Sequence, residues 1–211
     1  MTVDPVLSAK GTRLNKRGLE TRQALLRTAL ECLAAGGSEA VSASLIAREA
    51  GVTWGTVQHQ FGDVDGLWAA LLSDVLGDGT ATALPVPDSP DVGERIDAVV
   101  RMLWNAMDLP AFRAIRTLRE ALPRHRDELE EAYPATAAAI ARWDASWTAT
   151  MEQAFAGLDL DPDRLARVRS LLPGAMRGLH DEQFLSSYTD SAEARRGLAE
   201  ALTSYLEKGT R

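Results

Sequence analysis

Residues 53–59 carry side chains that can hydrogen-bond to the edges of nucleic-acid bases. Threonine and glutamine both donate and accept hydrogen bonds, and glutamine can bind adenine through two of them. The segment follows Gly51, a residue type that ends helices, and Thr53 is of a type that caps the helix that comes next. Val57 and Phe61, four residues apart, anchor only one face of that helix. The candidate base-reading residues are Thr53, Trp54, Gly55, Thr56, Gln58 and His59.

Two short helices position these side chains. We expect the first over about residues 42–50 and the second from Thr53 to about residue 60. Such a pair, joined by a glycine turn, predicts a helix-turn-helix, whose second helix lies in the DNA major groove while the first crosses the phosphate backbone. The start of the first helix adds Ser42 and Ser44 to the candidate DNA-binding residues. The alternative is a helical hairpin within an ordinary core.

Charge is distributed unevenly along the chain. The net charge is −7, yet residues 8–27 carry six basic residues against Glu20 alone. Residues 1–75 sum to −1 and residues 76–211 to −6, so the acidic excess lies away from the helix-turn-helix. This pattern predicts phosphate contacts near the N-terminus, although a basic tail that is merely solvated is an alternative. The candidate residues are Lys10, Arg13, Lys16, Arg17 and Arg22.

The sequence over about residues 16–75 resembles the tetracycline-repressor-like (TetR) transcriptional regulators. The matching pattern begins with an amphipathic helix that ends at Gly36-Gly37, continues over residues 46–53 and 55–57, and includes Phe61. The other matching residues are Arg22, Leu25, Leu26, Ala29, Leu33 and Leu67.

Three positions depart from the family pattern. The family usually has tyrosine, histidine and lysine where this chain has Gln58, Gln60 and Val64. The replacements remove a tyrosine hydroxyl and a lysine charge that contact phosphate in the family. They motivate an alternative function, a ligand-binding or protein-interaction module of the same fold with a degenerate DNA-binding head. A second alternative is a DNA-binding organiser that has no small-molecule effector.

Helical periodicity covers nearly the whole chain, and no alternating strand pattern occurs, so the predicted class is all-α. We expect a flexible basic N-terminal arm over residues 1–15 and a helix-turn-helix DNA-binding domain over 16–76. Residues 77–93, with three glycines and three prolines, form a linker to a ligand-binding and dimerisation domain over 94–211. Pro173-Gly174 predicts a kink or a split in the penultimate long helix.

The resemblance also implies a homodimer formed through the last two helices and a small-molecule effector. Tryptophan, methionine and phenylalanine at helical spacing suit a largely apolar pocket, but such stripes also form plain cores. His180, beside Met176 and Phe184, would supply one polar contact. The candidate pocket residues are Trp104, Met107, Phe112, Trp143, Trp147, Met151, Met176, His180 and Phe184.

Other functional classes have little support. One cysteine, Cys32, allows neither an internal disulfide nor a zinc cluster and fits a reducing cytoplasm. No apolar stretch is long enough for a membrane span or a secretion signal. The three histidines stand in no catalytic or metal-binding motif, so we expect no enzyme and no cofactor. With the resemblance to the TetR regulators, we expect a cytoplasmic DNA-binding regulator, and the resemblance implies a dimeric, ligand-responsive repressor of a palindromic double-stranded DNA operator.

Overall fold

The computed structural model describes residues 7–36, 41–77, 88–185, 187–188 and 190–208. Within these ranges the chain forms ten α-helices and no strand, which confirms the predicted all-α class. No helix in this described part is long and apolar enough to span a bilayer. The helices are α1 (Lys16–Ala35), α2 (Ala43–Glu49), α3 (Trp54–Phe61), α4 (Val64–Gly77), α5 (Val92–Met107), α6 (Pro110–Ala121), α7 (Arg126–Ala132), α8 (Pro134–Ala154), α9 (Pro162–Leu185) and α10 (Ser191–Glu207).

The chain divides into two compact units. The first comprises residues 1–81 and 109–144, and the second residues 82–108 and 145–211. Helices α6 and α7 and the start of α8 therefore group with the N-terminal helices rather than with the C-terminal ones. The predicted domain bounds stay a prediction. Most of the proposed linker over residues 77–93 lies outside the described residues.

Helix α1 supplies the central face of the first unit's core. It begins after Asn15, whose side-chain oxygen accepts a hydrogen bond from the backbone N–H of Gly18 at 2.9 Å. It ends at Gly36, which has a φ of 75°, a conformation that costs glycine little. The C-terminal end agrees with the sequence pattern, in which this helix ends at Gly36-Gly37. The buried residues of this helix are Leu25, Leu26, Ala29 and Leu33.

Helices α2 and α3 form the predicted helix-turn-helix, with ends close to the expected ones. The hydroxyl of Ser42 accepts from the N–H of Leu45 at 3.3 Å and caps α2. The hydroxyl of Thr53 accepts from the N–H of Thr56 at 3.3 Å and caps α3. Between the helices, Gly51 has a φ of 66°, which gives the chain its left-handed turn.

Helix α4 follows α3 with very little space between them. Asp63 accepts a hydrogen bond from the N–H of Gly66 at 2.8 Å and so caps the start of α4. A Cβ atom on Gly66 would overlap the carbonyl oxygen of Phe61. Only glycine therefore allows α4 to start at this position. The buried residues of α4 are Leu67, Trp68, Leu71, Leu72 and Val75.

Helix α4 also caps the start of α8. The carboxylate of Asp65 accepts from the backbone N–H of Ala135 at 2.8 Å and from that of Thr136 at 2.7 Å. The first N–H groups of a helix have no partner within it, and they favour negative charge. Asp65 thus fixes the first turn of α8 to α4 within the first unit. The short helix α7, just before α8, was not predicted from the sequence.

The core of the second unit is formed by α5, α9, α10 and the end of α8. Helix α9 is continuous through Pro173, so of the predicted kink or split at Pro173-Gly174 the split does not occur, and the kink stays a prediction. Leu172 and Met176, on either side of the proline, are fully buried. Their packing holds the helix together although the proline nitrogen has no hydrogen to donate.

A buried arginine joins α5 to the end of α8. The Arg95 guanidinium donates to the backbone carbonyls of Ala154 and Ala156, both at 2.9 Å, and its Nε donates to the carbonyl of Ser89. Carbonyls at the end of a helix have no intrahelical partner, and a cation there also interacts well with the helix dipole. Arg95 therefore stabilises the second unit from within.

Candidate nucleic-acid interface

Helix α3 buries one side and leaves the other open to solvent. The inward residues are Val57, Gln60 and Phe61. Trp54 is half-buried and packs against the core of the first unit, so it helps anchor the helix. Most of the remaining predicted base-reading residues thus lie on the outer side of α3 or at its N-terminus. Thr53, Gly55, Gln58 and His59 are exposed, and Thr56 is half-buried.

Two of the candidate hydroxyl groups, those of Ser42 and Thr53, also cap helices. The hydroxyl oxygen of Thr53, which caps α3, also lies 3.1 Å from that of Thr56. Ser42 caps α2, whereas Ser44 is exposed in the first turn of that helix. Since a hydroxyl has one donor and two acceptor sites, these groups keep capacity for further hydrogen bonds.

Gln60 lies inside the first unit rather than on its surface. Its Nε2 donates to the backbone carbonyl of Gly18 at 3.1 Å, and the side chain joins α3 to the start of α1. Its Oε1 is buried and has no hydrogen-bond partner among the described residues. The departure from the family pattern at this position therefore concerns packing between helices. Of the three departures, Gln58 is the one on the exposed side of α3.

Arg22 was predicted to contact phosphate, and that contact stays a prediction, because the structure gives the side chain partners inside the first unit. Its guanidinium donates to the backbone carbonyl of Gln60 at 2.7 Å and lies 4.3 Å from the ring centre of Phe61. Burial lowers the pKa of Arg22 from its ordinary value, and the negative charge of Asp74 acts in the opposite direction. Arg22 is directed inward because α1 packs beside the C-terminal end of α3. It is a positioning residue for α3.

The other four predicted cations lie at or before the start of α1 and are exposed. Residues 7–19 contain no acidic residue, so these charges are not offset within the segment. Helix N-termini also carry partial positive charge, which adds to the field at this end of α1. The surface therefore suits phosphate groups. Its basic residues are Lys10, Arg13, Lys16 and Arg17.

The N-terminal arm, predicted to be flexible over residues 1–15, contains a turn in its described part, and its flexibility stays a prediction. Residues 7–13 form a closed turn, in which Leu7 and Arg13 pair as an isolated bridge. The backbone N–H of Ala9 donates to the carbonyl of His59 at 3.2 Å, which joins the turn to α3. A tertiary contact of this kind has no periodic signal in the sequence. Residues 1–6 lie outside the described residues.

Seven of the nine predicted pocket residues belong to the second unit. Five of the seven belong to its core or pack against it. Met151 and Met176 are fully buried in that core. Trp104, Met107 and Trp147 are partly buried and pack against it. The indole of Trp147 donates to the backbone carbonyl of Arg169 at 3.0 Å, which fixes its orientation. These residues form one apolar cluster.

His180 and Phe184 extend this cluster toward solvent. His180 is buried, and its Nε2 lies 3.1 Å from Oδ1 of Asp108. The ring centre of His180 lies 5.2 Å from that of Trp104 and 5.4 Å from that of Phe184. Phe184 itself is 69% exposed. Arg195, which was not singled out in the sequence, stacks on Trp104 at 3.9 Å.

The remaining two predicted pocket residues lie in the first unit. The rings of Phe112 and Trp143 meet edge to face with their centres 5.7 Å apart. They fall outside the apolar cluster of the second unit. Helical spacing had placed all nine residues in a single set because it gives the face of each residue and not its neighbours in space.

The segment that contains the helix-turn-helix matches the model of a known protein family. Residues 25–71 match the family model described as bacterial regulatory proteins, tetR family. No curated protein matches the sequence.

The fold as a whole is similar to several solved structures. Native NalD from Pseudomonas aeruginosa, the secondary repressor of the MexAB-OprM multidrug efflux pump, has a TM-score of 0.60 and 21% identity, over 90% of this chain and 98% of its own. A TetR family protein from Vibrio parahaemolyticus has a TM-score of 0.56 and 21% identity, over 88% and 98%. A TetR-family protein from Mesorhizobium loti has a TM-score of 0.53 and 18% identity, over 92% and 98%. The chain therefore has the fold of TetR-family transcriptional regulators, and its residues 25–71 carry the signature of that family.

Proposed function

We propose that this protein is a sequence-specific DNA-binding regulator, a cytoplasmic homodimeric repressor that binds a palindromic operator and responds to a small molecule. The observation that carries the proposal is the arrangement of α3. This helix is anchored from the inside by Val57, Phe61 and Arg22, yet its outer side keeps polar groups that have no role in the core. Four exposed cations lie in the same unit, at the start of α1.

Reading of bases is assigned to the outer side of α3. In a helix-turn-helix the N-terminal part of the second helix meets base edges in the major groove. Gln58 can bind adenine through two hydrogen bonds, and Thr56 can bond a base or contact a thymine methyl group. Lys16 and Arg17 would contact phosphates, which set the position and affinity of the protein but carry no sequence information directly.

Dimerisation is assigned to α9 and α10, as in the TetR family. Leu171, Gly174, Gly178 and Leu185 recur along one side of α9 at helical spacing. Both leucines are exposed in the single chain, and a Cβ atom on Gly178 would meet no other atom. Exposed leucines beside small residues suit close packing of a second helix. Two copies would hold their recognition helices about 34–36 Å apart, as consecutive major-groove faces require.

Effector binding is assigned to the apolar cluster of the second unit. Its tryptophans and methionines suit an adaptable, largely apolar ligand. Such a ligand would reduce operator binding only if it binds the state that cannot hold DNA more tightly than the state that can. The repressor activity named for NalD is in keeping with this scheme.

The test is selection of duplexes from a random library by the purified protein, with the affinity of the selected duplex measured at several salt concentrations. We expect a palindromic sequence, a dimer in sedimentation equilibrium and a steep dependence of affinity on salt. Substitution Gln58→Ala should change the preferred base at one position of each half-site. The control is Gln153→Ala, an exposed glutamine of α8 in the second unit.

The alternative is a ligand-binding or protein-interaction module with a degenerate head. It is favoured by Gln58 and Val64, which replace two side chains that contact phosphate in the family. A folded dimer that enriches no duplex would support it and reject the proposal. Sequence-specific, salt-dependent binding would reject the alternative.

A further inference from the structure

The N-terminal arm contains a folded turn between residues 8 and 12. The backbone N–H of Ser8 donates to the carbonyl of Thr12 at 2.8 Å, and the N–H of Gly11 donates to the carbonyl of Ser8 at 2.9 Å. The hydroxyl of Ser8 accepts from the N–H of Thr12 at 3.2 Å, and Ser8 is buried. Gly11 has a φ of 75°, so the turn depends on glycine at that position.

This turn is attached to the C-terminal end of the proposed recognition helix. The N–H of Ala9 donates to the carbonyl of His59 at 3.2 Å, near the end of α3. Ala9 also lies close to Gly62, where an added Cβ would contact the Cβ of Ala9 at 3.5 Å. The turn and α3 are therefore joined by both a hydrogen bond and a packing contact.

The turn carries two exposed cations. Lys10 lies within it and Arg13 directly after it, and both are exposed. Neither has an acidic residue within residues 7–19 to offset it. The turn holds this positive charge beside α3 through its buried serine, its backbone hydrogen bonds and its glycine conformation. In a disordered tail the same charge would be mobile.

We propose that residues 8–13 are a preformed phosphate-binding element, in which Lys10 and Arg13 contact the DNA backbone beside the bases that α3 reads. This inference rests on the proposed DNA-binding function and adds that the arm and α3 bind as one body. A disordered arm would lose conformational freedom when it binds, whereas this turn has already lost it on folding. The element therefore contributes affinity both through its charge and through its fixed position.

The charge is tested with Lys10→Ala, measured on the selected duplex by fluorescence anisotropy over a range of salt concentrations. In the homodimer this variant removes one phosphate contact per protomer, so affinity should fall about 25-fold near physiological salt and the slope of log affinity against log salt should decrease by about 1.8. The control is Arg101→Ala, which removes one positive charge from an exposed position of α5 in the second unit. An unchanged slope for Lys10→Ala overturns the proposal.

The fixed position is tested with Gly11→Val, which leaves the net charge unaltered. A β-branched residue disfavours the left-handed backbone, so affinity should fall roughly three- to tenfold. The control is Gly11→Asn, since asparagine tolerates that conformation and should bind almost as well as the natural protein. Ser8→Ala, which removes the hydroxyl that accepts from Thr12, is a second uncharged variant, and thermal unfolding checks that all variants are folded.

The outcomes separate the two proposals. If the natural protein binds no duplex, the proposed function fails, and this inference fails with it. If the natural protein binds but Gly11→Val and Ser8→Ala bind equally well, only the inference fails, and the turn is then no more than a cap on α3. Weaker binding by both uncharged variants, with Gly11→Asn unaffected, supports the preformed element.

Discussion

Replacement of Arg22 by methionine tests whether this arginine holds α3 in place or contacts DNA. Methionine keeps much of the length and apolar surface of the side chain but removes its charge and its donors. The hydrogen bond to the Gln60 carbonyl and the stacking on Phe61 are both lost. The Gln60 carbonyl is then left without this donor.

The size of the effect follows from these two contacts. A hydrogen bond from a charged donor contributes about 1.5–3 kcal/mol to stability. A cation over an aromatic ring adds about 0.5–2 kcal/mol, with the lower end for exposed sites. Because Arg22 is half-buried, the lower parts of both ranges apply, and we expect Arg22→Met to lower the free energy of unfolding by about 2–3 kcal/mol.

The assay is urea unfolding followed by circular dichroism, together with the salt dependence of operator binding. The matched control is Arg27→Met, an exposed arginine of the same helix, for which we expect a change within about 0.5 kcal/mol. Arg22→Met should bind the operator more weakly because α3 is less firmly held, yet with the same salt dependence, because no phosphate contact is removed.

A different pattern would refute this reasoning. If Arg22→Met unfolds at the same urea concentration as the natural protein, and its binding becomes less sensitive to salt, then Arg22 contacts phosphate in the complex. The original prediction from the sequence would then be right, and the contacts with Gln60 and Phe61 would have to be broken when DNA binds.

Two further changes test the packing within each unit. Gly66→Ala should lower the free energy of unfolding by ~3 kcal/mol, because its Cβ would overlap the Phe61 carbonyl oxygen. Gly55→Ala in α3, where an added Cβ would make an ordinary contact with Thr53 at 3.7 Å, should raise it by up to ~1 kcal/mol. Arg95→Met leaves three backbone carbonyls without their donor and should cost about 3 kcal/mol or more, whereas Arg101→Met, exposed on the same helix, should be nearly neutral. Urea unfolding measures all four, and equal stabilities within either pair would contradict the packing described.

The local features of the fold were predictable because short-range interactions determine them. Ser42 and Thr53 cap helices that start one residue later, and Gly51 turns the chain between them. The C-terminal end of α1 at Gly36 followed from a helix-ending residue type alone. Each of these signals lies within about one or two helical turns of the residue that it concerns.

The partners of individual side chains required the tertiary structure. Arg22 and Gln60 are 38 residues apart, and nothing near either one indicates that the guanidinium meets that carbonyl. The same holds for Ala9 and His59, whose hydrogen bond joins the arm to α3.

The sequence by itself determined that the chain is helical, that residues 42–62 form a helix-turn-helix, and that the cations lie near it. Only the tertiary structure decided which polar residues face outward, since Gln60 and Arg22 point into the first unit while Gln58 does not. It also separated Phe112 and Trp143 from the apolar cluster of the second unit. The physical reason is that helical periodicity gives each residue a direction on its own helix, whereas burial and binding depend on what the other helices place in that direction.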